Sequence, residues 1–297
     1  MSSSLPETIA DLTRSADVLA AIGAALDARA GGAALDPAIR PHIEAVLSAH
    51  GVAAVIDSLP KAEIVPMLGQ IRTFALANTK LLFAAGRSGG WSHTEPELLQ
   101  AAGDASAGFP QRLKSSIAPQ LEGLSARLAS PGAAFLDIGV GVAALSMAMA
   151  ATWPNLRITG IDPWAPAIAA ARAAVAAAGL SDRIVLRAQS GEEIADRDAF
   201  DLAWLPSLFV PQGAVAEILR RVRVALRPGG WLLVPILRPV EDQLTTALAR
   251  LRVALFGGYA WPADELTLAL RHEGYADVRT LASSPQAITA LVVGRKA

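Results

Sequence analysis

Residues 133–150, AAFLDIGVGVAALSMAMA, read as a strand, a glycine turn and a helix. The parse of everything around them follows from that reading. Gly139 and Gly141 let the backbone turn tightly and let a ligand come close where a Cβ would collide. Asp137 falls at the strand's carboxyl end, inside the crevice where open α/β sheets bind ligands. Taken alone, the two glycines also suit a plain helix-packing turn.

Downstream of this unit, short apolar runs alternate with helical segments. The strands are Ala134–Ile138, Arg157–Ile161, Arg183–Arg187, Phe200–Trp204, Trp231–Ile236, Asp277–Leu281 and Ile288–Val293. Helices near Val142–Thr152, Pro166–Ala178, Gln212–Ala225, Glu241–Leu255 and Ala263–His272 lie between them. The early strands are apolar on both faces, as central parallel strands covered by helices must be. Such alternation predicts an α/β fold with an open, doubly wound sheet. The last two strands are separated only by ASSPQA at 282–287, so they form an antiparallel pair at one edge.

Upstream, residues 1–130 carry helical patterns only, and 131–297 form the α/β unit. The helices predicted there are Glu7–Ala30, Asp36–Ala49, Lys61–Ala85, Glu95–Ala101 and Pro119–Ala129, with a loop GRSGGWSH at 86–93. In the first, Ile9, Leu12, Ala16, Leu19, Ile22 and Leu26 recur at three and four residues, which marks a buried face. Pro66 would kink or shorten the third unless it stood in the first turn.

The chain has 297 residues, 53% hydrophobic and 18% charged, with a formal net charge of −1. That excludes disorder, and it argues against nucleic acid as a partner, because no basic field or groove is present. There is no cysteine, hence no disulfide, thiolate metal site or cysteine nucleophile, as suits a reducing cytoplasm. The start, MSSSLPETIADLTRS, carries Glu7 and Asp11 where a signal peptide would be basic and then apolar. Ile138–Leu156 runs 19 residues without a charge, but its glycines and Pro154 break it into a strand end, a turn and one helix. No membrane partner and no metal are expected.

Two further features narrow the ligand. Asp162 closes the run RITGID, 21 residues after Gly141, where an acidic side chain grips a ribose diol. A turn-opening or capping role for Asp162 is equally open from the sequence. Asp137 precedes the first glycine by two positions, where it would repel a pyrophosphate but suit an ammonium. The third glycine of the dinucleotide fingerprint is replaced by Ala144. A ligand with a ribose and an ammonium but no phosphate fits, and S-adenosylmethionine is such a ligand.

The runs FLDIGVGVA, ITGID, FDLAWLPSLF at 200–209 and ALRPGGWLLV at 225–234, in this order, resemble the class I S-adenosylmethionine-dependent methyltransferases. The resemblance covers about 130 to 297 and implies a Rossmann-like, seven-stranded sheet with an antiparallel last strand. It implies S-adenosylmethionine as cofactor, with S-adenosylhomocysteine as product. Asp137 and Gly139 would then contact its methionine part, Gly141 would line its approach, and Asp162 would hold the ribose. Pro163 and Trp164 would border the adenine. Family members usually have an acidic residue after the third strand; AQSGEE places Gln189 and Ser190 there, and an amide or hydroxyl can also serve the ring. The family's common third glycine is Ala143. Trp204 would lie under the transferring methyl or beside the acceptor.

Methyl transfer mainly requires alignment of a nucleophile and exclusion of water, and an alcohol or phenol gains from a general base. Of the four histidines, His42, His50 and His272 read as structural. His93, in the loop beside Trp91, is the candidate base. No histidine follows the fifth strand, where Glu241 and Asp242 read as helix caps. FGGYAWPADEL at 256–266 offers Tyr259 and Trp261 as acceptor-pocket wall, together with Trp91. Appended helical domains in similar small-molecule methyltransferases cover the acceptor site, form homodimers, or both. The expectation is therefore methyl transfer to a small apolar or aromatic metabolite by in-line displacement. The alternatives are a cofactor-binding homologue that does not methylate and a protein methyltransferase.

Overall fold

The computed structural model describes residues 4–83, 90–91, 93–238, 240–281 and 289–297. The connection 282–287, the first residue of the expected strand at Ile288 and most of the 86–93 loop lie outside them. The helical half comprises α1 (Leu5–Ala30), α2 (Arg40–His50), α3 (Ala53–Ser58), α4 (Lys61–Leu82), α5 (Pro96–Asp104), α6 (Phe109–Arg112) and α7 (Leu124–Ala129). A π-turn at Leu113–Ile117 and a 3-10 turn at Ala118–Gln120 join α6 to α7.

Local chemistry sets these boundaries. α1 starts with a capping box in which the Ser4 N–H donates to Glu7 Oε2 at 2.8 Å, and it stops at Gly31, in the left-handed region. α2 begins later than Asp36 because the Asp36 carboxylate holds a turn, accepting from the Ala38 N–H at 2.7 Å. The expected Pro119–Ala129 helix is broken in two, since Gly123 takes a φ of +72° and starts α7 afresh. α4 runs on through Pro66, whose ring faces Gly108 on the segment leading into α6. Gly69 lets α4 approach closely, because a Cβ there would stand 2.6 Å from the Ala105 amide nitrogen beside α5.

The second half alternates as expected: β1 (Ala134–Ile138), α8 (Ala144–Thr152), β2 (Arg157–Ile161), α9 (Ala165–Ala177), β3 (Ile184–Arg187), β4 (Phe200–Trp204) and α10 (Gln212–Ala225). Then come β5 (Leu226–Leu237), α11 (Gln243–Leu255), α12 (Ala263–His272), β6 (Ala276–Leu281) and β7 (Thr289–Arg295). The sheet has seven strands in the order β3-β2-β1-β4-β5-β7-β6. β1 to β5 are parallel neighbours, and β7 pairs antiparallel with both β5 and β6. Chain order reverses between β1 and β4, so a crevice opens there at the strands' carboxyl ends. Ile138–Leu156 is indeed a strand end, a turn and a helix. No helix among the described residues is long and apolar enough to cross a membrane.

Apolar cores cover both faces of the sheet. Phe135, Met149, Ile158 and Trp231 belong to one, joined by Leu113, Leu124 and Leu128 of the helical half. Leu136, Leu219, Val222 and Leu270 belong to the other. Asp201, buried at the amino end of β4, accepts from the Ala134 N–H at 2.9 Å and from Arg127 and Arg227 at 3.3 and 2.5 Å. One carboxylate thus ties α7, β1, β4 and β5 together. Removing it strands two guanidinium groups that are themselves only partly exposed. Asp201→Ala should therefore lower the unfolding free energy by about 2 kcal/mol or more, read as an earlier urea midpoint with an unchanged slope.

Candidate functional site

A cavity of about 1790 Å³ lies between the carboxyl ends of β1, β2 and β4 and the helices α4 to α6. Its inner wall is the turn after β1. Gly139 and Gly141 have φ of +68° and +55°, and nothing lies within 4 Å of where a Gly141 Cβ would be, so the turn opens toward a ligand. The third position, Ala143, also adopts the left-handed region (φ +64°, ψ +19°) while fully buried at the head of α8. An alanine therefore keeps the backbone path that glycine would take.

Asp137 and Asp162 form the chemistry of this wall. Asp137 is 1% exposed and accepts from Ser146 Oγ at 2.7 Å. Burial pushes its pKa up to about 7, the Asp162 charge adding to the rise and Ser146 opposing it. Asp162 accepts from the Trp164 N–H at 2.8 Å and the Gly141 N–H at 3.0 Å. Burial raises its pKa too, against those backbone bonds. It thus opens a turn, one of the two roles the sequence allowed, and it also braces the glycine turn from the adjoining strand, which the sequence did not indicate. Neither carboxylate has an ion-pair partner among the described residues. Two such carboxylates suit an ammonium and a ribose diol and would repel a pyrophosphate.

Most of the expected cofactor residues converge here. Gly139, Gly141, Asp137, Asp162, Pro163, Trp164, Ser190 and Trp204 all line the cavity. Trp204 pairs with Asp137 across the β1–β4 ladder, and its ring meets Phe109 of α6 at 4.5 Å. Gln189 is not on the wall, although its neighbour Ser190 is. Trp91 does line the cavity, edge-on to Phe209 at 5.7 Å and to Phe256 at 5.3 Å.

Three expectations need correction. His93 is not part of the wall. Its Nδ1 sits 3.1 Å from Lys80 Nζ. An ammonium can only donate, so Nδ1 accepts and the neutral ring carries its proton on Nε2. Burial first, then Lys80, lowers its pKa, and its carbonyl accepts from the Trp164 indole at 2.7 Å. His93 anchors the segment that carries Trp91 and offers no free basic nitrogen. Tyr259 and Trp261 also lie off the cavity: they meet edge-on at 5.1 Å, and Trp261 packs on the sheet core. Asp242 caps α11 as read, accepting from the Thr245 N–H at 2.9 Å. Phe109, Phe209 and Arg112 line the cavity without having been singled out. Phe209 stood inside a quoted motif, but nothing local marked Phe109 or Arg112.

With this geometry in view, likeness to known proteins is specific. Residues 135–230 match the family model described as "Methyltransferase domain". The chain carries a methyltransferase domain. The match spans β1 to the start of β5, the same stretch that carries the quoted motifs. The whole chain is similar in fold to the mitomycin 7-O-methyltransferase MmcR at 20% identity, covering 98% of each chain with a TM-score of 0.60. An O-methyltransferase family protein from Burkholderia thailandensis matches at 15% identity over 100% of this chain and 99% of that one, TM-score 0.61. Human N-acetylserotonin methyltransferase, solved in complex with SAM, matches at 17% identity over 100% and 99%, TM-score 0.55. These solved structures include the helical half in the match.

Ala143 provides a test of the turn. Ala143→Gly removes a left-handed cost of about 1–2 kcal/mol and a buried methyl worth about 0.8 kcal/mol, so stability should change by no more than about 1 kcal/mol. Ala143→Val adds branching in a fully buried, left-handed position and should cost about 3 kcal/mol. Chemical denaturation of both variants reads the difference.

Proposed function

We propose that this enzyme methylates a small apolar or aromatic metabolite at oxygen. The observation that carries the reading is one continuous cavity, with the carboxylates of Asp137 and Asp162 at the β1–β4 crevice and an apolar vestibule between α4, α5 and α6. S-adenosylmethionine, when bound, supplies a methyl group already activated on sulfonium sulfur. Asp137 would meet its ammonium, Asp162 its ribose hydroxyls, Gly139 and Gly141 would let it approach the backbone, and Pro163, Trp164 and Ser190 would border the adenine. Trp204 and Phe109 would floor the acceptor's place, and Trp91 with Leu99 would shield it from water, which is where alignment gains most. The O-methyltransferases among the structural neighbours support oxygen as the methylated atom.

In this reading, residues 1–130 form a cover over the acceptor. Of the α1 face expected to be buried, Leu26 is buried but Ile9, Leu12 and Leu19 are exposed, and with Leu5 they leave an apolar stripe that suits a homodimer contact. The described lining contains no histidine, lysine or tyrosine. Any protein base on that wall is therefore a carboxylate, and Glu63 is the one at the helical end.

Calorimetric titration with S-adenosylmethionine, S-adenosylhomocysteine and NAD tests the assignment. The two adenosyl ligands should bind and NAD should not, and Asp162→Ala should weaken both by at least about tenfold. Failure of both adenosyl ligands would overturn the reading. Binding without turnover on any phenolic panel would favour the homologue that does not methylate.

The pH dependence of the same titration has a fixed sign. Asp137, with its pKa near 7, is largely neutral at pH 6 and ionised at pH 8, and only the ionised form attracts an ammonium. Affinity should therefore rise about tenfold between those two pH values and level off above, and Asp137→Asn should abolish the rise.

A further inference from the structure

The two ends of the cavity differ in charge. Asp137, Asp162 and Glu192 line the cofactor end, whereas Glu63 of α4 and Arg112 of α6 line the helical end. Glu63 stands in the first turn of α4, where a carboxylate is favoured by the helix dipole. Arg112, the one cation on the described wall, has no carboxylate or carbonyl partner among the described residues. Its guanidinium carbon lies 5.5 Å from the centroid of the Phe109 ring, and that ring lies 4.5 Å from the Trp204 ring. The two rings are tilted by 47°, so Arg112, Phe109 and Trp204 form a chain of contacts from the exposed rim to the carboxyl end of β4. The Phe109 ring positions the guanidinium, whose N–H groups have no protein acceptor among the described residues and can meet an anion.

We propose that the acceptor is an amphiphilic organic anion: an apolar body packed beside Trp204, with a carboxylate or comparable acidic group held by Arg112. This rests on the reading of the vestibule as the acceptor site. Arg112 is then the residue that sets substrate charge, selecting acidic aromatics over their neutral counterparts. It also orients the acceptor, because a pinned acidic end leaves one edge of the ring facing the crevice.

A matched dye pair tests this on the full-length protein without knowing the acceptor. 8-Anilinonaphthalene-1-sulfonate is an aromatic anion, and N-phenyl-1-naphthylamine is the same ring system without the charge. Both should bind, and Ala107→Trp, which fills the vestibule, should weaken both. Arg112→Gln should weaken the sulfonate by about tenfold and leave the neutral dye within about twofold. Arg112→Lys should restore part of the loss, keeping the charge but not the fork. Equal effects of Arg112→Gln on both dyes would overturn the anion handle while leaving the vestibule standing. If Ala107→Trp weakened neither dye, the vestibule would not be a site for flat apolar ligands, and the inference would fall with the reading beneath it. S-Adenosylhomocysteine binding to the same samples judges the methyltransferase reading separately.

Discussion

Asp137 is a carboxylate almost without access to water, hydrogen-bonded to Ser146 and with Asp162 as its nearest charged influence. Burying a carboxylate this way is costly unless its charge is compensated or given up, and its raised pKa records that cost. The glycine turn, the left-handed Ala143 and the start of α8 are arranged around this one group: Ser146 can reach it only because α8 begins immediately after the turn. Asp162, from the next strand, braces the same turn through the Gly141 N–H. Three consecutive elements thus depend on where two acidic side chains can be accommodated.

The helical half is adjusted to that arrangement. Gly69 permits α4 to lie against the end of α5, and Gly103 faces Val142 and Ala144 beside the turn. Leu99 and Trp91 pack on the same two residues. The helical half is therefore set directly on the glycine turn, and the segment after residue 90 is pinned by Trp164 donating to the His93 carbonyl. Trp164 lies two residues after Asp162, so the turn that Asp162 opens is tied by one hydrogen bond to the segment that carries Trp91.

Much of this was legible in the sequence because it is local. β1, β2, β4, α10 and α12 start and stop where period, caps and turn residues place them, and the terminal hairpin followed from its short connection. The glycine turn and Asp162 were readable for the same reason, since their spacing is set within one βαβ unit. The vestibule was not. Phe109 meets Trp204, and Trp91 meets Phe209 and Phe256, across long sequence separations, and no local pattern says which aromatic of a loop faces a cavity. Tyr259 and Trp261 show the converse. They look like pocket aromatics in a flexible-looking stretch, yet their rings pack edge-on against each other, and Trp261 packs on the sheet core. His93 looked like a base for want of one fact outside its own segment, the ammonium of Lys80 a turn from the end of α4.

Two buried acids on one sheet make the division of labour plain. Asp201 sits at the amino end of β4 and is met by two guanidinium groups and a backbone N–H, so its charge is fully answered within the fold. Asp137 sits at the carboxyl end of β1, one strand away, and receives only a hydroxyl. The same residue type at comparable burial is a structural clamp in one place and a reactive feature in the other. What separates them is which end of the parallel strands they occupy. At the amino ends, helices and arginines close over the acid. At the carboxyl ends, the reversal of strand order between β1 and β4 keeps the crevice open, so the charge on Asp137 finds no counter-ion among the described residues and its pKa rises instead.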